Sequence, residues 1–462
     1  MIKCPNCTGE LDFDVKDQIV KCTYCGSEFN PKKAELKLKT AKEIKQDKKE
    51  DKEDKYEGKG YSCTQCGATL MTFDETAITF CSYCGSQAMI EEKMIQIDKP
   101  EYIIPFQKTK EECINAYKSK VSKSLFAPSY LKNSTTHDKF RGIFMPYIIY
   151  KLDKDGNCTF KGSKYSHRSG DYQIYDDYTI NANVNASYKG ISYDLLSKYY
   201  DKYSNAIPFN YKKAEEFNPN YMVSFYADAG DVSQNTYDND VTNIVTKDTT
   251  RFLTKYKEFR KYGCSNPQAR LNVSERKIGM FPVYFLAVRD KKDKIYYAVV
   301  NGQTGKVAAD IPVSFSKYII GSIILSLIIF LLINNFLILT PMKVTIFSII
   351  AAIISTIITI KQSSNINAQQ NHSNDLGYMS IKENTEKKKI KIGTFKYIYK
   401  EIIAIAIPII IAFIHPVSDV YYYVGDLISL ALVVLSFKDL INEHNLLVSN
   451  KLPQLEKRGG DE

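Results

Sequence analysis

A multidomain chain is predicted, with small cysteine-rich modules at the N-terminus, an α+β domain in the middle and a helical membrane region at the end. Three observations predict it: a duplicated cysteine pattern, a central stretch mixing strand alternation with helical spacing, and long apolar runs from Tyr318 onward. The cysteine pattern is the most specific. Cys4, Cys7, Cys22 and Cys25 are repeated by Cys63, Cys66, Cys81 and Cys84, each displaced by 59 positions. Two facing Cys-x-x-Cys knuckles supply four thiolates at about 2.3 Å from one zinc ion. The fold class is therefore multidomain: two small zinc ribbons, an α+β cytoplasmic domain, and an α-helical membrane region of four spans.

Zinc ribbon 1 is placed at residues 1–31 and zinc ribbon 2 at residues 60–92. Gly26, Gly67 and Gly85 follow the second cysteine of a knuckle, where a positive φ is cheap, and Thr8 holds that place in the first. Modules this short bury little core, so two structural zinc ions would contribute most of their folding energy, on the order of 10 kcal/mol each. A redox role would need one Cys-x-x-Cys pair, not four in register. Residues 32–59 form a charged linker, read as a flexible spacer that lets each ribbon move separately.

Residues 98–312 form the α+β cytoplasmic domain. Thr109 and Glu112 make a capping box for a helix running to Ser122. Asp155-Gly156 signals a hairpin between Tyr147–Leu152 and Asn157–Phe160. Tyr172–Tyr188 alternates as strands do, and Val241–Tyr262 has helical spacing. Pro282–Val288, Ile295–Val300 and Lys306–Ala309 read as a meander turned by Asn301-Gly302. Gly142–Tyr150 and Gly279–Phe285 look alike, which hints at a duplicated hairpin.

The membrane region divides into a transmembrane hairpin 1 at 318–360, a basic cytoplasmic loop at 361–400, a transmembrane hairpin 2 at 401–437 and a cytoplasmic tail at 438–462. The 361–400 loop carries eight lysines, so the positive-inside rule places it, and both termini, in the cytoplasm. The start, Met1-Ile2-Lys3-Cys4, has no apolar signal-peptide core. The expected location is the cell membrane, multi-pass.

A net charge of +10 invites a nucleic-acid reading. Its distribution argues against one. Residues 1–31 hold three lysines against five acids, and residues 61–92 hold four acids with no Lys or Arg. Both ribbons are acidic, the wrong sign for phosphate contacts. Residues 101–310 carry 32 basic and 23 acidic residues, which suits an anionic lipid surface. Arg251, Lys255, Lys257, Arg260 and Lys261 gather on one predicted helix as the best lipid or nucleic-acid patch.

No catalytic constellation emerges, so no enzyme is expected. Gly302-x-x-Gly305-Lys306 lacks the four-residue gap and the Ser/Thr of a phosphate loop. Asp171, Asp176, Asp177, Asp228 and Asp231 read as turn residues. His167 and His415 have no partner at motif spacing, and Cys113, Cys158 and Cys264 read as inert thiols.

The chain resembles the bacterial TFIIB-type zinc ribbon-containing membrane proteins, a family sometimes given primosomal or helicase-like labels. The matching residues are Cys4-Pro5-Asn6-Cys7, Cys22-Thr23-Tyr24-Cys25-Gly26, Ile104-Pro105-Phe106, Gly142 to Tyr147, Arg168-Ser169-Gly170-Asp171-Tyr172 and Asn301-Gly302-Gln303-Thr304-Gly305-Lys306. The resemblance covers about residues 1–340 and departs from the family in the second apolar hairpin. It implies a membrane-attached zinc protein associated with phage-shock-protein-A-like or SPFH-type membrane-organising proteins. The expected function is a non-enzymatic adaptor or scaffold of the cytoplasmic membrane that recruits a cytosolic protein through acidic zinc ribbons. The alternative is a membrane-tethered nucleic-acid-binding protein.

Overall fold

The computed structural model describes residues 2–32, 55–64, 67–73, 78, 81–83, 89–91, 95–132, 140–197, 199, 201–289, 295–309, 311–336, 340–370, 376–377 and 395–449. Two strands form its spine, β9 (Arg141–Ser169) and β13 (Asn272–Arg289), paired antiparallel so that Tyr147 opposes Gly279 and Phe285 opposes Arg141. Residues 143–148 of β9 are buried without interruption, as expected of a strand covered on both faces. These are the two look-alike segments of the sequence, and here they lie side by side. A 12-stranded mixed sheet grows outward from this pair.

Beside β13 lie β8 (Tyr102–Ile103) and β14 (Ile295–Asn301), and β15 (Val307–Ala309) pairs β14 to complete the expected meander. Beside β9 lies β12 (Tyr226–Asp228), running parallel to it. The antiparallel β5 (Thr69–Thr72) follows β12, and β5 leads to β4 (Lys55–Cys63), which also pairs β6 (Met89–Glu91) and β7 (Ile95–Asp98). The short β11 (Glu215–Glu216) closes the opposite edge on β8. The second cysteine-rich segment is therefore part of the central sheet, which overturns its placement as a separate small module. β1 (Leu11–Asp14), β2 (Ile19–Cys22) and β3 (Glu28–Phe29) form a sheet of their own around the first.

β10 (Tyr172–Asp194) runs back along β9 with Ser169 opposite Tyr172 and Tyr147 opposite Asp194. The hairpin expected at Asp155-Gly156 does not turn there. Asp155 pairs Asn185 and Gly156 pairs Val184 within the ladder, because β10 supplies a matching strand for the whole length beyond. The reversal comes at Gly170, whose φ of +62° needs no Cβ. At about 3.3 Å per residue, the 29 residues of β9 span about 95 Å. Beyond Gly162 the ribbon is exposed on both faces.

Helices cover the sheet. α1 (Lys110–Ser122) has the predicted capping box, and buries Cys113, Tyr117 and Val121. α2 (Asp201–Ala206) lies on the opposite face with Tyr199, Tyr203 and Phe209. α3 (Asp238–Leu253) packs Val241 and Val245 against Tyr150 and Leu152 of β9. The helix expected over Val241–Tyr262 breaks at 254–256, and α4 (Lys257–Lys261) restarts at an angle that sets Phe259 against Phe160 at 5.2 Å between ring centres.

The predicted four spans are also corrected. Among the described residues two helices are long and apolar enough to cross a membrane: α5 (Phe315–Phe336), through Phe315–Leu332, and α6 (Pro341–Gln370), through Pro341–Gln369. α7 (Phe395–Ile414) and α8 (Asp419–Ser449) pack with α6 into a bundle instead. Charge interrupts both: α7 carries Lys400 and Glu401 ahead of Pro408, and α8 carries Asp419, Asp426, Lys438 and Asp439. α5 is different. Ile323, Ile324 and Leu325, successive residues about 100° apart around the helix, are each more than half exposed, so above its base it is apolar with no protein against it. Its base is anchored where Gly321 meets the Phe126 ring and Lys317 donates to the Ala127 carbonyl at 2.7 Å.

Two contacts return the helical region to the central sheet. Asn445 of α8 exchanges hydrogen bonds with the backbone of Val313, both 2.8 Å. Between α6 and α7, Leu376 donates its amide to Asp201 at 2.8 Å, and Gly377 lies so close to Tyr237 that a Cβ would sit 2.6 Å from the hydroxyl. Burial, opposed by the Leu376 and Gly377 amides and reinforced by nearby Asp240, raises the Asp201 carboxyl to about 6. The basic 361–400 loop lies otherwise mostly outside the described residues.

Candidate metal centre

The sulfur atoms of Cys4, Cys7, Cys22 and Cys25 lie within 4.8 Å of one another. Cys4 and Cys25 are 3.7 Å apart, and Cys7 and Cys22 are 3.4 Å apart. A disulfide needs about 2.05 Å, whereas a tetrahedron of sulfurs at about 2.3 Å from one ion has edges of about 3.8 Å. The quartet could hold a metal ion.

Local backbone builds it. The amide of Cys4 donates to Gly9 while Thr8 donates back to Cys4; the amide of Cys22 donates to Ser27 while Gly26 donates back to Cys22. Each knuckle closes through a left-handed residue, Thr8 at φ +59° and Gly26 at +71°. Thr8 accepts that strain, offset in part by its hydroxyl donating to the Cys7 carbonyl at 2.7 Å. Gly9 leaves room for the sulfurs: a Cβ there would lie 2.9 Å from the Tyr24 Cβ and 3.2 Å from the Cys7 Sγ.

The thiols are unequal. The Ser27 hydroxyl and amide hold Cys25 down at about 6. The Gly9 amide lowers Cys7 too, but the neighbouring Cys22 and Cys25 sulfurs outweigh it and push Cys7 up to about 12. Four thiolates this close cannot all ionise without a cation among them.

In the second segment Cys63 repeats the knuckle: its amide donates to Ala68 at 2.9 Å, and Gly67, at φ +65°, donates back at 2.8 Å. At this first knuckle the 59-residue repeat is thus also a repeat of backbone geometry. Cys63 and Cys81 are buried; Cys66, Cys84 and Gly85 lie outside the described residues.

The two segments sit differently on the body. The first is docked, which removes the expected freedom of movement. Its amide at Ile2 donates to Phe73 at 3.0 Å, Gln18 reaches the Phe106 carbonyl at 2.7 Å, and Phe13 packs edge-on against Tyr221 at 5.6 Å. The second is held from within, where Tyr83 donates its hydroxyl to Asp228 at 2.8 Å and packs against Phe285. Burial raises the Tyr83 phenol far above its usual range, so it stays a donor.

The remaining candidates fall apart as a group. Arg251, Lys255, Lys257, Arg260 and Lys261 are all exposed, but Arg251 ends α3, Lys255 is in the break, and Lys257, Arg260 and Lys261 are on α4. Phe252 and Tyr256 are half exposed among them. Asp171 is at the hairpin tip, Asp176 and Asp177 line the exposed arm, and Asp231 accepts from Ser197. Asn301 clamps its turn, donating to the Ile207 and Pro208 carbonyls, while Gly302 abuts Phe106 so closely that a Cβ would lie 2.5 Å from the ring. That turn is scaffold. His415 ends α7 in a left-handed conformation, φ +46°, and Cys113 is a buried thiol pushed up to about 12 by desolvation. The sequence reading missed Tyr24, which is 88% exposed between two ligands; its signal was the knuckle position itself.

Fold and site define a protein with a four-cysteine centre able to hold a metal ion and a pair of helices apolar enough to cross a membrane. The chain is 25% identical over 328 residues to an uncharacterized protein of Bacillus subtilis, YdjG, the alignment covering 68% of this chain and 91% of that one. No family profile and no solved structure matches it.

Proposed function

We propose that the chain is a zinc-binding adaptor of a membrane, acting by recruitment and not by catalysis. The observation that carries this reading is the exposed corner of the first ribbon, where Tyr24 stands out at 88% exposure with Glu10, Asp12 and Glu28 exposed on the same small module. An exposed aromatic on an acidic module suits a basic face on a partner protein. All-thiolate ligation with no open position suits structural zinc, one ion at Cys4, Cys7, Cys22 and Cys25 and a second at Cys63, Cys66, Cys81 and Cys84. The family resemblance points to a phage-shock-protein-A-like or SPFH-type partner.

In this reading α5 and α6 cross the bilayer as a hairpin, and the central sheet lies on the cytoplasmic face. The links from Val313 to Asn445 and from Leu376 to Asp201 support it, because they bring the chain before α5, after α6 and along α8 to one domain. Affinity capture from crosslinked membranes tests the adaptor. Tyr24→Ala should lose a defined set of proteins while zinc content stays at two ions per chain; an unchanged set would remove the reading.

A second reading rests on the exposed Phe252 and Tyr256 among Arg251, Lys255, Lys257, Arg260 and Lys261. Aromatic and basic groups together suit single-stranded nucleic acid. Binding that falls steeply with salt would favour it, and a flat response would sink it.

A further inference from the structure

α6 is apolar by composition, yet one side of it is not. Thr345, Ser348, Ala352, Ser355, Thr359 and Ser363 recur every three or four residues, so they share one face. Thr345, Ser355, Thr359 and Ser363 are each at most 4% exposed. Two acids from the neighbouring helices meet this seam. Asp426 of α8 accepts from the Thr345 hydroxyl at 3.1 Å, and Glu401 of α7 accepts from Ser355 at 2.8 Å and Thr359 at 3.2 Å.

Each acid has one buried oxygen without a hydrogen-bond partner among the described residues, Asp426 Oδ1 and Glu401 Oε2, and Glu401 is the more deeply buried of the two. It is 0% exposed, both hydroxyls donate to its Oε1, and its Oε2 is buried with no hydrogen-bond partner among the described residues. The adjacent lysine does not answer it, because Lys400 is turned to Asp439. A buried carboxylate with one bare oxygen costs several kcal/mol. A proton on Oε2 would cancel the charge but leave a buried O–H with no acceptor. A cation beside Oε2 cancels the charge and occupies the bare oxygen, and the Ser355 and Thr359 oxygens keep lone pairs to share in its coordination.

We propose that Glu401, Ser355 and Thr359 form a binding site for a small monovalent alkali cation, with sodium as the representative ion. Hard oxygen donors select a hard cation. One carboxylate balances one positive charge, whereas a divalent ion would leave an uncompensated charge in an apolar bundle. Oxygens already within hydrogen-bonding distance suit a small ion over a large one.

Radiolabelled sodium binding to the full chain in lipid nanodiscs, with choline as the background ion, tests the site. The native protein should bind one sodium saturably, Glu401→Gln should abolish binding, and Ser355→Ala should weaken it at least tenfold. Asp426→Asn should bind as the native chain does, which separates this site from the other acid on the seam. If Glu401→Gln does not fold, as judged by its zinc content, the Ser355→Ala comparison decides. No binding above the choline background overturns the proposal, as does native affinity in Ser355→Ala. Melting that varies with pH but not with sodium would assign the carboxylate to a proton and also overturn it.

Discussion

The two cysteine-rich segments have the same cysteine spacing and the same hydrogen bonds at their first knuckle, yet they belong to the molecule in opposite ways. The first builds its own three-stranded sheet and is fastened to the body by packing at its rim, through Ile2, Phe13 and Gln18. The second is part of the body: β5 joins β12, β12 joins β9, and Tyr83 is buried against Asp228 and Phe285. The difference teaches that ligand spacing fixes a metal site without fixing what the metal supports. In the proposed reading, a metal at the first segment would hold a corner, and one at the second would hold the edge of the main sheet.

The largest expected effect separates them. With the proposed second zinc in place, Cys81→Ser should abolish the cooperative melting of the central sheet, since zinc binding energy on the order of 10 kcal/mol would be folding energy there. Cys25→Ser should leave that transition in place and raise hydrogen exchange only within residues 2–32. Equal melting losses in the two variants would break the comparison.

Next is the fastening of the first segment. Phe13→Ala removes a buried ring (3% exposed) between the segment and Tyr221 and should cost about 3 kcal/mol. Zinc bound at the first quartet should remain, because no sulfur is touched; loss of one zinc equivalent would show that docking and ligation are inseparable. Tyr83→Phe probes the matching fastening of the second segment. Deleting the donor to the Asp228 carboxylate should cost about 2 kcal/mol, seen as a lower midpoint in urea with an unchanged slope.

A pH titration sharpens the contrast from outside both segments. Asp201 has a carboxyl raised to about 6 in the folded protein, above its unfolded value, so the folded state takes up the extra proton. The contribution of Asp201 to stability should therefore rise as the pH falls from about 7 toward 4, by on the order of 2 kcal/mol, against the opposing loss from metal ligands that must stay deprotonated. Asp201→Asn should remove that contribution, read as the difference between its pH profile and that of the native chain. Smallest of all is Tyr24→Ala, which should change stability by less than about 0.5 kcal/mol, although the proposed function gives it the largest effect on partner capture.

Much of this was legible in the chain because its signals are local. The knuckles were readable from Cys-x-x-Cys spacing and glycines, the capped α1 from Thr109 and Glu112, and α5 and α6 from uninterrupted apolar composition. The polar seam was also written in order, at three- and four-residue intervals from Thr345 to Ser363, but it was hidden by the hydropathy of the residues between. Other local signals misled. Asp155-Gly156 is a strong turn pair, and it yielded because β10 offers cross-strand partners on both sides of it. Ile402–Ile414 and Val420–Phe437 read as spans, yet they became the partners of α6.

What the sequence alone determined is thus the set of groups whose geometry is settled within a few residues: metal knuckles, caps and apolar helices. Only the tertiary structure decided which strand lies beside which, that the second segment would merge with the central sheet while the first would not, and that Glu401 would face two hydroxyls on another helix. The physical reason is that strand pairing and burial are set by partners distant in the chain. A residue such as Tyr83 or Glu401 has no fixed role until Asp228 or Ser355 has been brought to it.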